Sequence, residues 1–383
     1  MTTTTEALTN ALAVIRASLG GCATDPQRLM AAKAEGLVTG YHIRWLNEDI
    51  TPISVEQITQ ANLFNPDTGK SSRTFRVAGK MDVLVERDGR QLLMDHKTTS
   101  EGIADPAAPY WQQLVIEGQV AHYMMTEWLC GRKLDGAIWD VIRKPSISPR
   151  KLKKAEQKAV ASGFEYFGHQ PSEEAKRAVT YGAQPGCEDR EPLELYTARL
   201  IHDCTHERPE WYFQRRPVPR LDSEILEYAR ELWSHGQDLI ATRAGDRHVR
   251  NSGACMRFGR PCEYLGICSG YDTPDSDKWQ PKKDIHPELE GQLGGGLDVL
   301  TNSRIRCFQT CKKLHYFRYE MGIERADKEE HEALYFGTLL HKALEAWWRT
   351  LLPEQEESNC GNSNSSAAQD GGTAASEQTA IAG

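Results

Sequence analysis

Hydrophobic and polar positions repeat along this chain in two rhythms, and the changes of rhythm mark its elements. Leu29, Leu37, Tyr41 and Trp45 recur at helical multiples, which predicts an amphipathic helix over 26–46. Asp25-Pro26 reads as its N-cap and first helical position. Strand-like runs follow near 53–60, 74–86 and 91–98. Residues 111–130 then predict a helix, 136–144 a strand, 151–167 a basic helix, 209–216 a strand and 222–243 a long helix. A cysteine-rich loop occupies 252–270. The polar stretch 271–297 is rich in Pro, Lys and Gly, ends in Gly294-Gly295-Gly296 and reads as a linker. Apolar periodicity returns over 298–352 as two helices. Residues 353–383 hold almost no large apolar side chains and read as a disordered tail.

The most informative run is Gly79 to Lys97. Asp88-Gly89 between two apolar stretches is a two-residue hairpin signal. That turn makes Arg87 face Arg90, Val85 face Leu92, Leu84 face Leu93 and Val83 face Met94, so the pairs beyond the turn are mutually apolar. The same register sets Asp82 opposite Asp95, with Cβ atoms roughly 5 Å apart. Lys97 lies two residues beyond Asp95 and shares its face. Two carboxylates at that distance repel unless a cation sits between them. Hard oxygen ligands suit Mg²⁺ or Mn²⁺, and such an ion can activate water and stabilise charge on a phosphoryl oxygen. Lys97 could orient that water or neutralise developing charge. The bland alternative is a surface ion pair on an exposed hairpin. Apolar residues on both faces argue for a covered hairpin, where charges need partners or a metal.

Composition narrows the class without fixing it. The 383 residues are 39% hydrophobic and 26% charged, ordinary values for a globular protein with one large core or two modest ones. A net charge of −8 does not advertise a nucleic-acid binder, but basic residues can gather on one face. Arg143 to Lys158 is one such local cluster, equally readable as a solvated loop and helix face. No run of 18 apolar residues suggests a membrane span. Met1 to Thr5 lacks the features of a secretory signal, so a cytoplasmic location is expected. Ten cysteines there are not expected to form a disulfide framework.

Asp82 with Asp95-His96-Lys97 resembles the core of the PD-(D/E)XK nucleases. In that family the two carboxylates and the backbone carbonyl before the lysine bind the metal. Gln119-x-x-x-Tyr123 falls on one face of a helix and is similar to the QxxxY motif of the RecB-like branch, whose Gln and Tyr contact the DNA strand. Gly337-x-x-x-His341, followed by Glu345, resembles the family's metal-binding histidine motif. His341 is therefore expected as a ligand, and Gly337 is expected to admit another backbone closely. Cys255-x6-Cys262-x5-Cys268 resembles the cysteine cluster of AddB-type nucleases. There a fourth cysteine comes from the first helix of the fold, and Cys311 aligns with it. The resemblance implies a [4Fe–4S] cluster stapling distant segments, with a structural zinc as the rival.

The resemblance further implies an α/β fold, a restriction-endonuclease-like core with a central mixed sheet flanked by helices. It implies metal-dependent hydrolysis of DNA phosphodiesters, as an exonuclease in repair, recombination or phage DNA processing. DNA is the expected partner, with a helicase or recombination protein beside it. The rival is a non-catalytic DNA-binding or recombination partner that keeps the fold. In the family the Cys helix and the GxxxH helix come first, whereas here they come last. The expected organisation is a nuclease core over 1–275, a linker over 276–297, a helical segment over 298–352 that completes the core, and a tail over 353–383. A circular permutation is one reading of that order. A segment serving a neighbouring chain in trans, or a domain swap, are the others.

Overall fold

The computed structural model describes residues 2–20, 23–181, 190–257, 259–289, 291, 296–327 and 332–353. It opens with a helix that the periodicity left unassigned, α1 (Thr2–Ala17), which buries Ala7, Ala11 and Ile15 along one stripe. Helix α2 spans Asp25–Trp45, one residue longer at its start than expected. Its N-cap is Thr24, not Asp25: the Thr24 N–H donates to Gln27 Oε1 at 2.9 Å. Asp25 instead sits in the first turn, where its charge complements the helix dipole.

Three strands follow: β1 (Thr51–Phe64), β2 (Ser71–Arg87) and β3 (Arg90–Thr99). Asp88 and Gly89 both take positive φ, 53° and 72°, as a tight hairpin between twisted strands requires. The β2–β3 register is the one the turn predicts, with Arg87 on Arg90, Val85 on Leu92, Leu84 on Leu93 and Val83 on Met94. The helix expected over 111–130 is two, α3 (Pro109–Val115) and α4 (Gly118–Leu129). The break falls where Ile116 is exposed and Glu117 reaches Arg306, 189 residues away, at 2.9 Å. Such a contact is invisible to local periodicity.

Strand β4 (Gly136–Arg143) matches its expectation. The basic helix expected over 151–167 shrinks to α5 (Lys154–Ala161), and α6 (Glu173–Tyr181) and α7 (Leu193–His202) were not anticipated. Leu152, Val160, Tyr166, Ala175, Val179 and Leu195 form a small core there, which replaces one long amphipathic face. Residues 209–216 begin as a helical turn, α8 (Pro209–Tyr212), before β5 (Phe213–Val218), because Pro209 suits a first helical position. Helix α9 (Asp222–Ala244) closes this half.

The cysteine region holds a short hairpin, β6 (Met256–Arg257) and β7 (Arg260–Pro261), and a helical turn, α10 (Leu265–Ser269). The stretch expected to be a linker is partly built into the fold. It contains β8 (Trp279–Pro281), and Trp279 and Leu289 are buried; Gly294 and Gly295 lie outside the described residues. Then come β9 (Asp298–Leu300), α11 (Asn302–Thr310), α12 (Lys312–His315), β10 (Ile323–Arg325), which pairs with β8, and α13 (Glu332–Thr350). The tail beyond 353 lies outside the described residues.

The central sheet is mixed, in the order β1-β2-β3-β4-β5, with only β3–β4 and β2–β9 parallel. Its placement of β9 matters most. β1 covers one edge of β2. Along the other edge β3 pairs with Val83 to Arg87, and β9 pairs with Phe75 to Val77. Among the described residues, the β2 segment from Ala78 to Asp82 between them has no strand partner on that edge, so the sheet carries a gap. Helices cover both faces. One core joins α1, α2 and α13 to the sheet, and the other joins α4, α9 and α11. From the segment 298–352, β9 joins the sheet, α13 packs in the first of these layers and α11 in the second. No helix among the described residues is long and apolar enough to cross a membrane.

Candidate active site

The gap in the sheet opens into a cleft of about 870 Å³, walled by Ala78, Gly79, Lys80 and Asp82 of β2, by Gln119 and Tyr123 of α4, and by His341 of α13. Thr301, Asn302 and Ser303, at the start of α11, form part of its rim. Residues from four separate stretches of chain meet there because β9 stops short of β3.

Asp82 and Asp95 stand just past the last hydrogen-bonded rung of the hairpin, Val83–Met94, rather than as the next regular pair. Asp82 Oδ2 instead accepts the His96 N–H at 2.7 Å. Asp95 is 1% exposed and lies behind the cleft wall, ion-paired with Lys97. Side chains alternate along β3, so Asp95 and Lys97 point toward the α4 layer. Lys97 Nζ donates to Gln119 Oε1 at 2.7 Å, and Gln119 Nε2 donates to the Tyr123 hydroxyl at 3.0 Å. The expected residues Asp95, Lys97, Gln119 and Tyr123 therefore form one chain of contacts that ends in the cleft. Tyr123 also fixes the residue opposite it. A Cβ on Gly79 would lie 2.5 Å from the Tyr123 ring, so this strand position admits only glycine without displacement.

Burial pushes the Asp95 carboxyl up to about 6; Lys97 opposes the rise and Asp82 adds to it. Burial lowers the His341 imidazole, against the pull of Asp82. His341 forms no hydrogen bond among the described residues. Its motif partner Gly337 behaves differently from expectation: the nearest atom to a Cβ there is the Thr98 hydroxyl at 3.4 Å, an ordinary side-chain contact and not an approaching backbone.

Three groups at this site carried no sequence signal. Glu56, in β1, pairs with Lys80 at 2.6 Å and lines the cleft with a φ of 54° inside a strand. Arg260, from the tip of the β6–β7 hairpin, reaches the same cleft. His96 is the third, and its surroundings lie behind the strand. Of the basic cluster, Lys144 lines the cleft, Arg143 stacks on Trp211 at 3.7 Å, and Arg150 pairs with Glu156.

Cys255, Cys262, Cys268 and Cys311 surround one small cavity of about 20 Å³, together with Tyr264 and Phe317. The long spacing between the first two cysteines is taken up by the β6–β7 hairpin, whose closing bond runs from Cys262 N–H to Cys255 O at 2.8 Å. Cys307, the other thiol of the α11 segment, is buried away from that cavity, and burial pushes it up to about 11.

Among the described residues, no group of three or more His, Cys, Asp or Glu side chains stands in metal-ligating geometry as it lies. The donor types at the cleft nevertheless fit a divalent cation. They are the carboxylates of Asp82 and Asp95 and the imidazole of His341; the Asp95 carboxyl is raised chiefly by its burial, with Asp82 adding to the rise and Lys97 opposing it.

Residues 299–378 match the family model described as PD-(D/E)XK nuclease superfamily. The match covers Cys311, Gly337 and His341 but not the hairpin with Asp82 and Asp95. The α/β fold with its central mixed sheet agrees with it. No curated protein and no solved structure matches the chain.

Proposed function

We propose that this chain is a metal-dependent nuclease that hydrolyses DNA phosphodiester bonds at the sheet gap. One observation carries the reading: Asp82, Asp95, Lys97, Gln119, Tyr123 and His341, distant in sequence, gather around the gap, in a chain whose segment 299–378 matches a nuclease superfamily. Asp82, Asp95 and His341 would hold Mg²⁺ or Mn²⁺, and the ion supplies Lewis acidity for phosphoryl transfer when bound. Lys97, tethered between Asp95 and Gln119, stabilises negative charge that develops on the scissile phosphate. Gln119 and Tyr123 align the strand, and Tyr123 stays protonated because burial raises its hydroxyl. Arg260, Lys144 and Lys342 on the cleft walls give the phosphate backbone positive contacts despite the net charge of −8.

The finer role that follows the same reading is an exonuclease of repair, recombination or phage DNA processing. The four cysteines around the small cavity would hold a metal group. The resemblance favours an iron–sulfur cluster, whose iron and acid-labile sulfide would be found after anaerobic purification; bound zinc without sulfide would select the tetrahedral zinc site instead.

The deciding test incubates the full chain with labelled linear DNA and Mg²⁺ or Mn²⁺, beside an Asp95→Ala/Lys97→Ala control. Cleavage that disappears in the control and in chelator supports the nuclease. A folded chain that binds DNA without cleaving it would replace that reading with a binding partner. Mixing His341→Ala and Asp95→Ala chains addresses the segment order: silence of the mixture fits a site completed within one chain, and recovered activity would overturn that.

A further inference from the structure

His96 lies between Asp95 and Lys97, yet its side chain faces the opposite layer. Its backbone N–H holds Asp82 Oδ2 at 2.7 Å. Its ring stacks on Trp348 with centroids 6.3 Å apart, and meets the His341 ring edge-on at 6.2 Å. One residue therefore contacts Asp82 on β2 and His341 on α13. Among the described residues no hydrogen bond or ion pair joins those two directly.

His96 is in turn fastened from behind. Its Nδ1 lies 2.8 Å from Asp140 Oδ2, on the neighbouring strand β4. Asp140 also accepts from the Tyr41 hydroxyl at 2.6 Å and from Arg215 Nε at 3.0 Å, and Arg215 Nη2 donates to Tyr41 at 2.6 Å. His96 is 4% exposed and Asp140 1%. Tyr41, Asp140 and Arg215 already tie α2 to the sheet through their own contacts. The link to His96 adds nothing to that tie, but it fixes the imidazole that leans on His341. A carboxylate gripping a histidine behind a metal site is a recurrent way to set ligand geometry.

We propose that His96 is a positioning residue, anchored by Asp140, that sets Asp82 and His341 at the spacing a divalent cation needs. The inference rests on the nuclease reading in taking those two residues as cation ligands. It assigns to Asp140 a role in metal affinity rather than in the chemical step.

The test measures Mn²⁺ binding by calorimetry on the full chain, with DNA cleavage against Mn²⁺ concentration as a second readout. His96→Ala is expected to weaken Mn²⁺ binding by about 10–100-fold. It should raise the half-saturating Mn²⁺ for cleavage in parallel, with a smaller change at saturation. His96→Asn places an amide near the position of Nδ1 and should recover part of the loss. Asp140→Asn should fall between. His96→Phe keeps the ring volume against Trp348 if the alanine variant fails to fold, and it should show the same weakening. Mn²⁺ affinity within about twofold of wild type in a folded His96→Ala or His96→Phe chain would overturn the proposal, whatever happens to the melting temperature. A wild-type chain that neither binds Mn²⁺ nor cleaves DNA would instead bring down the nuclease reading on which it stands.

Discussion

Around β3 and β4 the sheet carries charge on both faces, and the two faces resolve it differently. Toward α2, burial alone would raise the Asp140 carboxyl, but Arg215, His96 and Tyr41 hold it below the usual carboxylate range. Toward α4, Asp95 is equally buried and has Lys97 beside it, yet it remains raised to about 6, because burial and Asp82 outweigh the lysine. In the rear set Asp140 pairs with Arg215, His96 and Tyr41, and Glu48 pairs with the same arginine. The front set lies against an open cleft, and burial with Asp82 keeps Asp95 raised there. Closed ionic networks lock packing, whereas an unresolved one in a cleft is where a cation and an anionic substrate gain the most.

The largest effect should come from the front. Asp95→Ala/Lys97→Ala is expected to lower cleavage by at least about 100-fold while the far-ultraviolet circular dichroism stays that of wild type. Comparable cleavage in the variant would mean that the charge on this face is structural. The same carboxyl gives a stability signature. Its folded value is above the ordinary 3.8, so its contribution to stability is fully present below that pH and lost as pH rises through about 6. Asp95→Asn should flatten that part of a metal-free pH–stability curve, read by urea unfolding.

The rear should respond in stability. Asp140→Ala leaves Arg215 buried with one carboxylate partner fewer, and a loss of about 3–5 kcal/mol is expected in denaturant unfolding. A loss under about 1 kcal/mol would show that Glu48, which also pairs with Arg215, carries the charge alone. Gly79→Ala tests the seam between the two: the new methyl meets the Tyr123 ring, so about 1–3 kcal/mol of stability should go, together with cleavage rate. The smallest effect belongs to Arg260→Ala. It should leave the melting temperature unchanged, weaken DNA binding modestly and lower the salt-dependence slope by about one. An unchanged slope would remove Arg260 from the interface.

Much of the front face was legible in the sequence. Asp88-Gly89 and the apolar pairs around it fix the hairpin register through local turn geometry and side-chain alternation, but the register ends at Val83–Met94, one step short of Asp82 and Asp95. Gln119 and Tyr123 share a helix face by spacing alone. The boundaries that failed did so where distant contacts intervene. The helix over 111–130 breaks at Ile116 and Glu117, where Glu117 pairs with the distant Arg306, and the supposed linker is drawn into the fold by β8 pairing with β10. Glu56 and Arg260 sit in segments whose patterns look like any edge strand and any exposed loop.

By itself, then, the sequence determined what is governed by neighbours: strand alternation, helix faces, the turn that sets one register, and the residue types able to hold a cation. Tertiary structure alone decided that β9 and β3 share one edge of β2 and leave a gap between them. It also joined His96 to an aspartate 44 residues away. Those outcomes depend on which distant surfaces pack together, and no local periodicity encodes that choice.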